Sequence, residues 1–272
     1  MAVYKEELIR IFQDTMKLSQ PYANETAEAI RNSILYEPDD VKYAKEIPRG
    51  YKTVVTVEKG TTVGAGIEVK RKHKNDKVAI LNFASAKHPG GMVVKGSVAQ
   101  EECICRCSNL YSILSDNKFK KGYYDYHTYQ HNKLYTSKLI YTPGVIVFKD
   151  DSNNYNKLKD IVKLDVITCA APNLRSLSGK VDMTIVRNND MREIYYDRIK
   201  HIFKAAATNK VDHLILGAFG CGVFKNSPND IARAFHEVQD EFDGCFKSIV
   251  YSIYCGTDKS SVNYDVFNTE FK

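Results

Sequence analysis

The feature that most constrains this chain is a set of short apolar runs that do not alternate with polar residues: 53–57, 78–83, 145–148, 166–170, 211–216 and 249–254. A strand covering core on one face alternates apolar and polar side chains, whereas a continuous run predicts burial on both faces. Burial on both faces requires helices on either side of a mostly parallel sheet. Amphipathic segments between the runs, such as the one carrying Tyr195, Ile199, Ile202, Phe203 and Ala206, can supply them. The fold class that follows is α/β, a three-layer α/β/α arrangement. The start of the chain reads differently. Leu8, Ile11, Phe12, Thr15 and Met16 recur at helical spacing, a second candidate helix spans 23–36, and Pro21 and Pro48 punctuate the region. So short a stretch buries little surface alone, so residues 1–50 are predicted to be a helical accessory segment and 51–272 the main domain.

Composition excludes several classes. At 272 residues, with 43% hydrophobic and 26% charged content, the chain is of ordinary globular type. No stretch approaches the roughly 18–20 apolar residues of a membrane span. The start, MAVYKEELIR, lacks the apolar core of a secretory signal. A cytoplasmic location is therefore expected, with the seven cysteines as reduced thiols. A net charge of +6 suits an anionic ligand but falls short of a duplex-binding footprint, so no specific DNA binding is expected. Cys103, Cys105 and Cys107 would spread around a helix, and the histidines show neither HExxH nor paired-ligand spacing. Neither a metal nor a cofactor is expected. The basic run 70–74 reads as a solvated helix end able to steer a polyanion. Tyr123, Tyr124, Tyr126 and Tyr129, with His127 and His131, read as half-buried packing.

Ligands of open α/β sheets sit where loops leave the carboxyl ends of strands, and two such passages stand out. In the first, a strand ends near Phe83, Pro89-Gly90-Gly91 forces an irregular loop, and a helix starts around 99–101 with Ile104, Tyr111 and Leu114 as its buried stripe. Gln100-Glu101-Glu102 then falls in the first helical turn. Acidic residues favour that position through the helix dipole alone. Adjacent residues point about 100° apart, however, so the two carboxylates cannot serve one purpose equally. In the second passage, 214–216 runs into a loop holding Gly217, Gly220 and Gly222, followed by Ser227-Pro228 as helix cap and first helical residue. A Gly-rich loop feeding a capped helix is a phosphate cradle. Phe224, in that loop, can pack on a sugar or fold back onto the core.

With both loops in hand, the chain resembles the microbial-type poly(ADP-ribose) glycohydrolases of the macrodomain superfamily. Their signature is a triple glycine followed, after a short spacer, by Gln-Glu-Glu. Here Gly90-Gly91-Met92, seven residues, then Gln100-Glu101-Glu102 match in all but one letter. Leu81–Ala86, Cys107–Tyr111, Tyr141–Val145, Ala170–Asn173 and Gly217–Asn226 are similar in their turn. The resemblance implies a macrodomain with a mixed, mostly parallel sheet and an N-terminal helical extension, binding ADP-ribose between the two loops. It implies Glu102 as catalytic acid, Glu101 as ribose-binding carboxylate, and Gln100 as the residue holding that pair. Gly90 and Gly91 would line terminal ribose and diphosphate. Gly220, Cys221, Gly222 and Val223 would bind diphosphate, with Phe224 on the distal ribose. The activity implied is hydrolysis of ribose–ribose bonds in poly(ADP-ribose), with ADP-ribosylated proteins as partners. Met92 departs from the pattern. If its position needs φ > 0, a side chain there is strained; if φ is negative, the thioether only narrows the cleft. A non-catalytic ADP-ribose reader and a mono-ADP-ribosyl hydrolase are the alternatives that Met92 raises.

Overall fold

A computed structural model describes the chain except for Met1, Asp39, residues 41–48, Asn153 and residues 257–260, so Pro48 lies outside the described residues. Its centre is a seven-stranded sheet in the order β1-β4-β5-β3-β6-β7-β2. The strands are β1 (Ile34–Tyr36), β2 (Val54–Lys59), β3 (Val78–Phe83), β4 (Leu139–Lys149), β5 (Lys157–Cys169), β6 (His213–Leu216) and β7 (Ser248–Ile253). From β5 through β3, β6 and β7 to β2 the pairs are parallel, while β4 runs antiparallel to both β5 and β1.

The helices form the outer layers: α1 (Ala2–Ser19), α2 (Ala23–Asn32), α3 (Thr62–Lys72), α4 (Gln100–Cys107) and α5 (Leu110–Leu114). After α6 (Asn117–Phe119), a π-helical stretch and α7 (Tyr126–Tyr129) come α8 (Met183–Arg187), α9 (Met191–Thr208), α10 (Pro228–Glu241) and α11 (Val262–Glu270). The continuous runs are explained by the sheet's two faces. Val78, Ile80, Val166, Ile215 and Val250 pack in one core with Phe12, Val63 and Ile104. Their neighbours Ala79, Leu81, Ile167, Leu214 and Tyr251 pack in the other with Phe203, Phe235 and Phe267. The period-2 alternation of strand side chains thus feeds two cores, both apolar. No helix among the described residues is long and apolar enough to cross a membrane.

Four sequence expectations are corrected. The helix expected over 23–36 stops at Asn32, because Ser33 turns extended and Ile34–Tyr36 pairs with the edge of β4. The single helix expected to carry Ile104, Tyr111 and Leu114 breaks at Ser108. There the extended Ser108 bridges Val147, and the Asn109 side chain accepts the Ile146 N–H at 2.9 Å. Strand pairing outcompetes one more helical turn. The run 145–148 is only part of β4, which continues through an irregularity at Pro143-Gly144. Proline cannot donate there, and the Gly144 N–H goes instead to Asp165 Oδ1 at 2.9 Å. The tyrosine cluster also divides more sharply than half-burial: Tyr123, Tyr124 and His127 are buried, Tyr126 is half-buried, and Tyr129 and His131 are exposed.

Candidate active site

Helix α4 begins at the carboxyl end of β3, and its first three side chains each hold a different piece of backbone. The Gln100 Oε1 accepts the Phe83 N–H at 2.8 Å, while its Nε2 donates to Leu81 O at 2.7 Å and Thr62 Oγ1 at 2.8 Å. Glu101 turns inward, accepting the Ser85 N–H at 2.7 Å, with Asn82 Nδ2 at 3.5 Å. Burial pushes the Glu101 carboxyl up to about 8, reinforced by the charge of Glu102 and opposed by the donors of Ser85, Asn82 and Gly90. Glu102 accepts the Met92 N–H at 2.9 Å. Both carboxylates are buried. The 100° step between neighbours on a helix thus ties the strand end and the glycine loop to one turn.

The loop meets that turn at Gly91. Gly90 and Gly91 adopt φ of +64° and +60°. A Cβ on Gly91 would lie 2.5 Å from Glu102 Oε1 and 3.2 Å from Glu101 Oε2, so the close approach needs a glycine. Met92 has φ −113° and ψ 34°. The missing third glycine therefore costs no backbone strain, and the Met92 side chain stands at the surface.

The second loop is locked from below. Gly220, at φ +74°, packs against Ala171 and Asn226 without room for a side chain. Asn226 Nδ2 donates to Pro172 O at 2.9 Å and Gly220 O at 3.0 Å, and its Oδ1 accepts from Tyr195 Oη at 2.9 Å. Ser227 caps α10, its Oγ accepting the Asp230 N–H at 3.4 Å, with Pro228 in the first turn. Between the two passages lies a cleft of about 510 Å³, lined by Phe83, Gln100, Gly220, Gly222, Val223 and Phe224. Gly90, Gly91, Met92, Glu101 and Glu102 form the neighbouring cluster and do not line the cleft itself. Cys221 does not line it either. Burial pushes the Cys221 thiol up to about 12, which leaves it protonated and non-nucleophilic near neutrality.

Residues 12–150, just over half the chain, match the family model described as microbial-type poly(ADP-ribose) glycohydrolase (PARG), catalytic domain. The chain belongs to this family. Among solved structures, PARG from Thermomonospora curvata bound to the inhibitor ADP-HPD is 29% identical. It superposes with a TM-score of 0.85, covering 98% of this chain and 100% of that one. PARG from Deinococcus radiodurans in complex with ADP-ribose is 31% identical, with a TM-score of 0.79, covering 90% of this chain and 96% of that one. No curated protein matches.

Within this PARG frame, sequence reasoning missed the far end of the cleft. Thr61, Asp151 and Tyr254 line it, reaching there from the ends of β2, β4 and β7, and Tyr4 of α1 joins them. Thr61 Oγ1 donates to Asp151 Oδ1 at 2.9 Å and accepts the Gly64 N–H at 3.0 Å as the α3 cap. A threonine ahead of a helical pattern was the available signal for Thr61. Asp151 carried none, since an acidic residue in a polar hairpin looks like any other. Asn226 was legible as the end of the family-like stretch Gly217–Asn226, but not as the residue that locks Gly220 in place.

Proposed function

We propose that this PARG-family chain hydrolyses the ribose–ribose glycosidic bonds of poly(ADP-ribose) and releases ADP-ribose, with Glu102 as general acid and then base. The observation that carries the reading is the convergence of two buried carboxylates on Gly91, beside a glycine loop that feeds a capped helix. Glycoside cleavage passes through an oxocarbenium-like state and needs a proton on the leaving oxygen, then a base for the attacking water. One carboxyl at the loop can perform both steps in turn. Glu101 holds the hydroxyls of the terminal ribose, Gln100 fixes the turn carrying the pair, and Gly90, Gly91 and Met92 cover that ribose. The backbone of Gly220, Cys221, Gly222 and Val223, at the start of α10, receives the diphosphate. Phe224, half-buried at the cleft, packs on the distal ribose.

The three-layer sheet supports placing the chain in the macrodomain superfamily, with 1–50 as accessory segment and 51–272 as the ADP-ribose-binding domain. ADP-ribosylated proteins are the partners this reading implies. Seven unbridged cysteines fit a reducing, cytoplasmic setting.

Incubation with labelled poly(ADP-ribose) tests the reading. Glu102→Ala should lower ADP-ribose release by roughly 10²–10⁴, the usual worth of general acid–base catalysis. Calorimetric affinity for ADP-ribose should change only a few-fold. Binding without release by the parent protein would instead make it a reader.

A further inference from the structure

At the sheet edge opposite the cleft, three potential ligands from two distant stretches of chain meet. His73 caps the C-terminus of α3, and a turn closed by the Asp76 N–H to His73 O (3.0 Å) brings Asp76 beneath it. His213 opens β6, which pairs in parallel with β3 starting from Val78. This is the amino edge of both strands, whereas both cleft loops leave the carboxyl edge. One carboxylate oxygen faces both rings: Asp76 Oδ2 lies 3.0 Å from His213 Nε2 and 3.8 Å from His73 Nδ1. The three ligand atoms all lie within 4.8 Å of one another.

We propose that His73, Asp76 and His213 bind one first-row divalent cation of the zinc class. Zinc bonds of about 2.0–2.1 Å at tetrahedral angles place ligand atoms roughly 3.3 Å apart, and the two observed separations bracket that spacing. Two imidazoles and a carboxylate suit zinc and its neighbours, while calcium and magnesium prefer oxygen alone. The surroundings also fit. Ser248 Oγ lies 2.8 Å from His213 Nδ1, the outer hydrogen bond that orients a ligating imidazole and turns Nε2 toward the carboxylate. Lys247 Nζ sits 2.9 Å from Asp76 Oδ1, on the oxygen that faces away from the rings. Lys247 and Arg49 share Asp212, at 3.5 Å and 2.8 Å, and Lys70 Nζ donates to the Asp76 carbonyl oxygen at 2.6 Å. His213 is buried, so half the site is fixed; the His73 side chain is 47% exposed, which gives the ion a way in and water a fourth position. Bound there, the ion joins the end of α3 to the start of β6.

The test uses the full chain freed of metal by chelation and titrated with Zn²⁺ alone. One ion per chain should bind and raise the melting temperature, and Co²⁺ should give visible d–d absorption. His73→Ala, at an exposed side chain, and Asp76→Asn should each weaken Zn²⁺ binding by about tenfold or more and abolish the thermal shift. ADP-ribose affinity should be unaffected in both. Zn²⁺ held by thiols would bind both variants as tightly as the parent, and that result overturns the proposal. So does a parent chain that neither binds Zn²⁺ nor gains stability from it.

Discussion

Gly91 is where backbone geometry and chemistry meet, and its neighbour shows the reverse case. A methyl group on Gly91 would occupy the space of the Glu102 carboxylate and force a side chain into a left-handed φ. Gly91→Ala should therefore displace Glu102 and lower polymer hydrolysis by at least about 10²-fold, with a stability loss on the order of 1–2 kcal/mol. Steady-state turnover beside a thermal melt checks this; near-parental turnover would show that the loop need not close on Glu102. Met92 stands next in the chain, yet its negative φ makes a side chain acceptable. What the sequence presents as one broken triple glycine is thus two positions that need glycine and one that does not. Letter-by-letter comparison cannot separate them, because the distinction lies in φ.

The junction of β3 and α4 shows what a buried acid does to an element. Glu101 is pushed up from 4.5 to about 8, so the folded protein holds its proton more tightly than the unfolded chain does. Stability from this group is fully present below pH 4.5, declines as pH rises through the window between the two values, and is flat above about 8. The steepest loss is on the order of 1 kcal/mol per pH unit. Glu101→Gln, which carries no titrating proton, should have a flatter curve of melting temperature against pH between 5.5 and 8.5, and should gain on the parent as pH rises. Parallel curves for the two proteins would show that Glu101 is ionised throughout. The acidic pair and its place in a first helical turn were legible in the sequence, because cap and glycine signals are local. Which carboxylate faces inward was not legible. That depends on Ser85, Asn82 and Gly90 closing over Glu101, contacts that only the folded loop creates.

At the scale of the molecule, doubly buried strands made the α/β class readable, while pieces that complete the sheet at its polar edges were not. The outer half of β5, from Lys157 to Lys163, is mostly exposed and carries charged residues, so no apolar run announces it. The strand Ile34–Tyr36 hides at the end of a helical pattern. That strand and α1 bear on whether residues 51–272 can stand alone. Leu8, Phe12 and Thr15 are buried against the rest of the chain. Lys149, itself buried, donates to Ile11 O and Thr15 Oγ1 at 2.9 Å each and pairs with Asp14 at 2.9 Å. Deleting residues 1–50 removes these three contacts together with Leu8 and Phe12, whose burial is worth about 1.5–3 kcal/mol for each side chain. It also bares the edge of β4 at Leu139–Tyr141, which β1 covers. Against a total stability of roughly 5–15 kcal/mol, these losses should leave the 51–272 fragment largely unfolded or aggregated. Urea denaturation followed by circular dichroism gives the comparison. A fragment that unfolds cooperatively at the midpoint of the full chain would show that the N-terminal segment is an appendage, and that the Lys149 contacts contribute nothing to the domain's stability.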